Sequence, residues 1–285
     1  MSNVFLGWNN RIDAATLSGG SWVATLPLAN LKNRTLAKLA RSTDDAVAST
    51  KFDIDLGAPR FVRLVALVNH NISLAGLVRL RGSDDAAFAT TVHDSGWVEA
   101  WPVVYPLGSF VWGDPRTWTG KYTAEEIAGY TLTLPLLVPA ATLARYWRVE
   151  IDDTANPAGY LQLGRVMIAD GWQPAHNMSY GASHAWETDT EVQRAKSGAE
   201  YFDRRAPRRV ARFSLDWMGE DEAFANAFEI QRQMGIDMEV FYLHNPADIV
   251  HLLRRAFLGR LRQLSPIEYP YYQINKTAFE IQELL

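Results

Sequence analysis

The stretch from Lys51 to Val68 constrains the fold more than any other part of the chain. Phe52, Ile54 and Leu56 alternate with Asp53 and Asp55, the period of a strand with one face in a core and the other in water. Gly57-Ala-Pro59 supplies a turn signal, and residues 61–68 then run almost wholly apolar, as a strand covered on both faces does. Such a pair demands a sheet with a second layer packed on it. Further strands are predicted at 77–81, 130–134, 146–151 and 161–168, with Trp147, Val149 and Ile151 on one face. Short strands at this spacing, separated by turn-forming clusters, predict an antiparallel β-sandwich.

A long irregular segment, residues 99–129, interrupts the pattern and carries Trp101, Tyr105, Phe110, Trp112, Trp118 and Tyr122 among prolines and glycines. Loops of this length inside a compact domain are uncommon and are often functional. The chain has 10 tryptophans, its strongest compositional anomaly, and Trp97, Trp101, Trp112 and Trp118 lie in or beside this loop. Their indoles suit stacking on sugar rings or anchoring a protein interface; equally, they suit a minor hydrophobic cluster that pins the loop down. Trp101, Tyr105, Trp112 and Trp118 form the candidate carbohydrate-binding set.

Near Trp172 the composition shifts to Gly, Ser, Thr, Asn and His, which places a domain boundary there and divides the chain into 1–172 and 173–285. Beyond it, Ala211, Phe213, Leu215 and Trp217 alternate with Arg212, Ser214 and Asp216 and predict a strand over 209–217. Residues 221–234 predict a helix, with acidic residues in the first turn and Ala223, Phe224, Ala227, Phe228 and Ile230 as its apolar stripe. Gly235 is placed to end it. A strand at 236–243, a turn at 244–247, a strand or short helix at 249–261 and a terminal strand at 277–284 complete a small α+β domain with one packed helix.

Composition narrows the function classes. Hydrophobic residues make up 48% and charged residues 21%, enough apolar material for a sizeable core and far from a disordered composition. The net charge of -4 supplies no field for nucleic acid or an anionic membrane, so neither nucleic-acid recognition nor membrane insertion is expected. The absence of cysteine excludes disulfides, thiolate metal sites and cysteine nucleophiles. No apolar run approaches bilayer length, and the first residues lack a basic region followed by an apolar stretch; the expectation is a soluble chain without an export signal.

Local catalytic signatures are missing. The six histidines, at 70, 93, 176, 184, 244 and 251, form no metal-ligand spacing, and His70 reads as a hydrogen-bonded residue at a strand end. No nucleophile elbow, phosphate loop or dinucleotide fingerprint occurs, and no metal or cofactor is expected. Asp44-Asp45, Asp84-Asp85, Glu125-Glu126 and Asp152-Asp153 are neighbours within loops, whereas glycosidases set two carboxylates apart. Asp84-Asp85 reads as a solvated turn, with a calcium loop as the alternative. One basic run, Arg204, Arg205, Arg208 and Arg209, precedes a strand and is the candidate assembly contact. The chain is read as non-enzymatic, and a hydrolase whose carboxylates meet only in space is the minority class.

Residues 30–97 resemble a discoidin-type jelly roll. The likeness rests on Phe52-Asp-Ile-Asp-Leu-Gly57, Val62-Arg-Leu-Val-Ala-Leu-Val-Asn-His70, Val78-Arg-Leu-Arg-Gly-Ser-Asp84 and Asp94-Ser-Gly-Trp97, completed by Arg145-Tyr-Trp-Arg-Val149. Residues 209–285 are similar to the closing domain of tail-tip proteins of long-tailed bacteriophages, through Phe257-Leu-Gly-Arg-Leu261 and Phe279-Glu-Ile-Gln-Glu-Leu284. The resemblance implies a distal-tail-type structural protein, made in the host cytoplasm and placed in the virion as a homo-oligomeric ring. Its implied partners are the tail tube, the tape measure and a tail-tip hub or fibre, with a host-surface glycan for the outward jelly roll. The rival reading is a soluble carbohydrate-binding module with no virion role.

Overall fold

The computed structural model describes residues 2–285. It is mainly β, and all the strand pairs given a register are antiparallel. The chain forms two compact units that are not consecutive segments. One comprises Met1–Gln173 with Phe241–Phe257, and the other Pro174–Val240 with Leu258–Leu285. The division falls beside Trp172, but one stretch of the later half belongs to the first unit.

The first unit is a jelly-roll β-sandwich. A short strand, β1 (Phe5–Gly7), runs antiparallel to residues 241–243. Two long strands dominate, β2 (Phe52–His70) and β4 (Thr133–Asp152), with β3 (Leu77–Ser83) and β5 (Gln162–Ala169) beside them. The spatial order is β5-β2-β4-β3. Gly57-Ala-Pro59 does not reverse the chain as the turn signal predicts. Instead β2 continues through it, and its register against β4 shifts between Asp55 and Arg60, with Gly57 at φ 76°. Proline has no N–H for the ladder and Gly57 takes the left-handed conformation, so the strand bends instead of folding back. Both halves of these bent strands feed one core, with Phe52, Ile54, Trp147 and Val149 from one side of the shift and Val65, Leu67, Leu134 and Leu136 beyond it.

In the second unit, β6 (Ser183–Glu187), β9 (Arg208–Met218) and β11 (Ile274–Glu283) lie side by side, with residues 258–261 on the far edge of β11. A separate hairpin pairs β7 (Glu191–Arg194) with β8 (Glu200–Asp203), and β10 (Glu268–Tyr271) pairs with β11. The predicted polar connection after 173 therefore contains three strands. They escape periodicity because β7 and β8 are exposed on both faces.

Two further expectations are corrected here. The helix consists of Glu220–Glu222, a π-helical stretch Ala223–Phe228 and Glu229–Met234. Its buried line is Ala223, Ala227, Ile230 and Met234, whereas Phe224 and Phe228 face solvent and touch each other, with ring centroids 5.7 Å apart. One residue along a helix is a rotation of about 100°, which takes both phenylalanines off the narrow buried stripe. In β9, Phe213 and Leu215 point inward as predicted, but Trp217 does not. The register jumps from Leu215↔Thr277 to Met218↔Asn275, so three residues oppose two. This bulge reverses the parity, placing Met218 in the core and Trp217 in solvent.

Candidate functional site

Loop 99–129 is anchored at its base and open at its tip. Trp101 is only 6% exposed; its Nε1 donates to the Ile72 carbonyl at 3.0 Å, and its ring meets those of His70 and Tyr122 edge-on. The Tyr122 hydroxyl donates to the Val250 carbonyl at 2.5 Å. Trp101 is thus an anchor with no face to offer a ligand, which removes it from the expected sugar-binding set. Burial also keeps the His70 imidazole neutral, pushed down to about 3, and its Nδ1 accepts from the Ile72 N–H.

The neck closes at Gly120. Its carbonyl accepts from the N–H groups of Val104 and Tyr105, at 2.8 and 2.9 Å. Its φ of 60° favours glycine, and a Cβ there would lie 2.8 Å from the Tyr105 carbonyl oxygen. Tyr105 serves this neck as well. It is half-buried and donates its hydroxyl to Glu126 Oε1 at 2.7 Å, and Glu126 with Thr123 forms the capping box of helix Ala124–Ile127. Partial burial works against ionisation of Glu126, but the Thr123 N–H, the Tyr105 hydroxyl and the Arg116 guanidinium prevail and hold it below the usual carboxylate range. Arg116 pairs with Asp114 at 2.7 Å, holding that carboxyl at about 2, and lies 4.0 Å over the Phe110 ring. Tyr105 is therefore structural too.

What remains at the tip is apolar and solvent-facing. Trp112 is 80% and Trp118 74% exposed, with ring centroids 5.1 Å apart and planes at 68°. Leu107 and Val111 are also exposed. The edge-on pair leaves indole surface open to solvent, where it can meet a ring-shaped or apolar ligand.

The arginine run divides in the same way. Arg209 is 4% exposed and bonded three times to the buried Glu283, from its backbone N–H, Nε and Nη2. It is an internal ion pair and not the expected assembly contact. Arg208 meets Asp189 at 2.9 Å and Arg205 meets Asp203 at 2.6 Å, both at the surface, and Arg204 is exposed. Sequence reading missed the exposed aromatics of the second unit: Trp186, Tyr201, Phe202, Tyr269, Tyr271 and Tyr272. They lie on short strands and a turn without alternation, so no periodic signal marks them. Asp85 accepts from the N–H groups of Ala87 and Ala89, the geometry of a turn.

No family model matches the sequence, and no curated protein matches it. Among solved structures, a fucose binding module of Streptococcus pneumoniae is similar over 57% of this chain and 95% of its own, at 14% identity and a TM-score of 0.37. The lectin domain of lectinolysin complexed with Lewis B antigen aligns over 59% and 99%, at 15% identity and TM-score 0.38. The family 32 module of Clostridium perfringens NanJ, in complex with galactose, aligns over 57% and 98%, at 10% identity and TM-score 0.38. SpGH29 matches over 58% of this chain, which spans 28% of that one, at 13% identity and TM-score 0.35.

Proposed function

We propose that the protein is a structural component of the tail tip of a long-tailed bacteriophage, a distal-tail-type subunit that closes into a homo-oligomeric ring. The observation that supports this reading is the hairpin β7–β8. Every residue of its strands is exposed, it joins neither main sheet, and Val192 faces Phe202 across it in an open apolar pair. A two-stranded hairpin alone is marginally stable in water, and such a pair gains by burial against a neighbour. A hairpin taken up by a different surface of the next subunit is a head-to-tail contact, the kind that closes rings. In this reading the tail tube, tape measure and tail-tip hub or fibre are the neighbours, and the virion is the final location.

Light scattering and negative-stain microscopy of the purified chain test it. A ring is expected, and replacing residues 191–203 by a short Gly-Ser linker should return it to monomer. A strict monomer at about 100 μM, well above the Kd of a stable assembly, overturns the reading.

A second reading, a soluble carbohydrate-binding module, is favoured by the exposed Trp112–Trp118 pair. It predicts glycan binding by a monomer, lost in Trp112→Ala and Trp118→Ala, and a glycan screen with no hits counts against it.

A further inference from the structure

The bulge in β9 turns Trp217 into the wall of a cleft in the second unit. The cleft has a volume of about 360 Å³ and is lined by Trp217, Met218, Gly219, Glu222, His176 and Gln273, among others. That volume lies at the lower end of the range of about 300–1,000 Å³ for small-molecule sites. Without the extra residue, Trp217 would occupy the inward place that Met218 holds. Instead its indole is 55% exposed. Bulges are over-represented where a side chain is re-aimed toward a site.

The polar groups around the indole converge from three separate segments. His176 lies in the segment between β5 and β6, Glu222 stands in the first turn of the helix, and Gln273 sits in the turn between β10 and β11. Gln273 holds a left-handed conformation, φ 58°, which is rare for a residue with a Cβ and costs on the order of 1 kcal/mol. Among the described residues, the Trp217 indole N–H, the His176 imidazole and the Gln273 carboxamide make no side-chain hydrogen bond within the protein. Glu222 Oε1 accepts from the Ala175 N–H at 2.8 Å, which fixes its carboxylate at the cleft. An apolar ring face with an N–H donor, an amide, an imidazole and a carboxylate around it matches the alternating C–H face and hydroxyl edge of a pyranose.

We infer that this cleft is a binding site for a neutral sugar ring, stacked on Trp217 and hydrogen-bonded by His176, Gln273 and Glu222. Neutrality follows from the surroundings, since Asp216, Glu220, Asp221 and Glu222 lie along the same short stretch and repel an acidic sugar. The site is independent of the loop pair Trp112–Trp118 and of any ring formed by the subunits.

The test uses the full chain labelled with 5-fluorotryptophan, with Trp217→Phe assigning the Trp217 fluorine resonance. Methyl glycosides of glucose, galactose, mannose, fucose and N-acetylglucosamine are each added to about 50 mM, well above a weak millimolar Kd. At least one should shift that resonance saturably, while sialic acid should not. Gln273→Gly, which suits the left-handed conformation, should weaken the same sugar about fivefold to tenfold through loss of hydrogen bonding alone. If no neutral sugar moves the Trp217 resonance, or if only a cationic probe such as choline does, the inference is overturned. It is also overturned if Gln273→Gly binds as tightly as the parent.

Discussion

Replacing Arg209 by methionine should unfold the second unit under conditions that leave the parent intact. Arg209 and Glu283 are each 4% exposed, and the carboxylate takes three hydrogen bonds from this one residue. The methionine keeps the backbone N–H contact and most of the volume, but removes both side-chain bonds to Glu283. At about 1.5–3 kcal/mol for each charge-assisted bond the loss is substantial, and the stranded carboxylate brings the expected cost to about 3–5 kcal/mol. In a urea titration with m near 2 kcal/mol/M this lowers the midpoint by about 2 M with m unchanged. The double variant Arg209→Met with Glu283→Leu should recover most of the loss, because a buried ion pair and a packed apolar pair of similar volume are nearly equal in stability. A single variant that loses less than about 1 kcal/mol would refute the reasoning and return Arg209 to the list of surface contacts.

Arg204→Ala and Arg205→Ala, at the exposed end of the same run, should each stay within about 0.5 kcal/mol of the parent in the same titration. Met218→Ala should cost about 2–5 kcal/mol and Trp217→Ala almost nothing, the reverse of what strict alternation in β9 requires; denaturant midpoints decide between them. Gly171→Ala should be strongly destabilising, because φ is 78° and the new Cβ would meet the Phe5 ring at 2.2 Å; thermal unfolding reports it. For His70, burial lowers the folded-state value from 6.5 to about 3. The unfolded chain therefore takes up the proton first, so this contribution to stability is complete above pH 6.5 and is lost as pH falls toward 3. By about pH 5 the loss is about 2 kcal/mol. His70→Gln should flatten that slope in denaturant titrations at each pH, and equal slopes would mean that His70 protonates in the folded protein as readily as in water.

The sandwich was legible because its strands keep strict parity where one face is buried. Residues 52–56 and 146–151 read correctly since each inward residue is apolar and each outward one is not. Parity fails at Asp216-Trp217, where one inserted residue changes the face of everything after it, and no local chemistry distinguishes that insertion. The loop tryptophans were visible as a set but not as individuals. Whether an indole anchors or presents depends on the neck at Gly120 and the Ile72 carbonyl, one of which is remote in sequence from Trp101. The arginine run posed the same difficulty, since only the distant Glu283 separates Arg209 from its neighbours.

The interleaving of the two units also bears on the order of events at the ribosome. The β1 strand emerges well before its partner: residues 241–243, which run beside it, are synthesised after most of the second unit. During that interval a nascent first unit carries an open strand edge, the kind that invites pairing with another chain. A translation product halted at Gln173 would keep that edge for good. One carrying the chain through Phe257 would not, so the two should differ in their tendency to aggregate even though the sandwich strands β2 to β5 are complete in both.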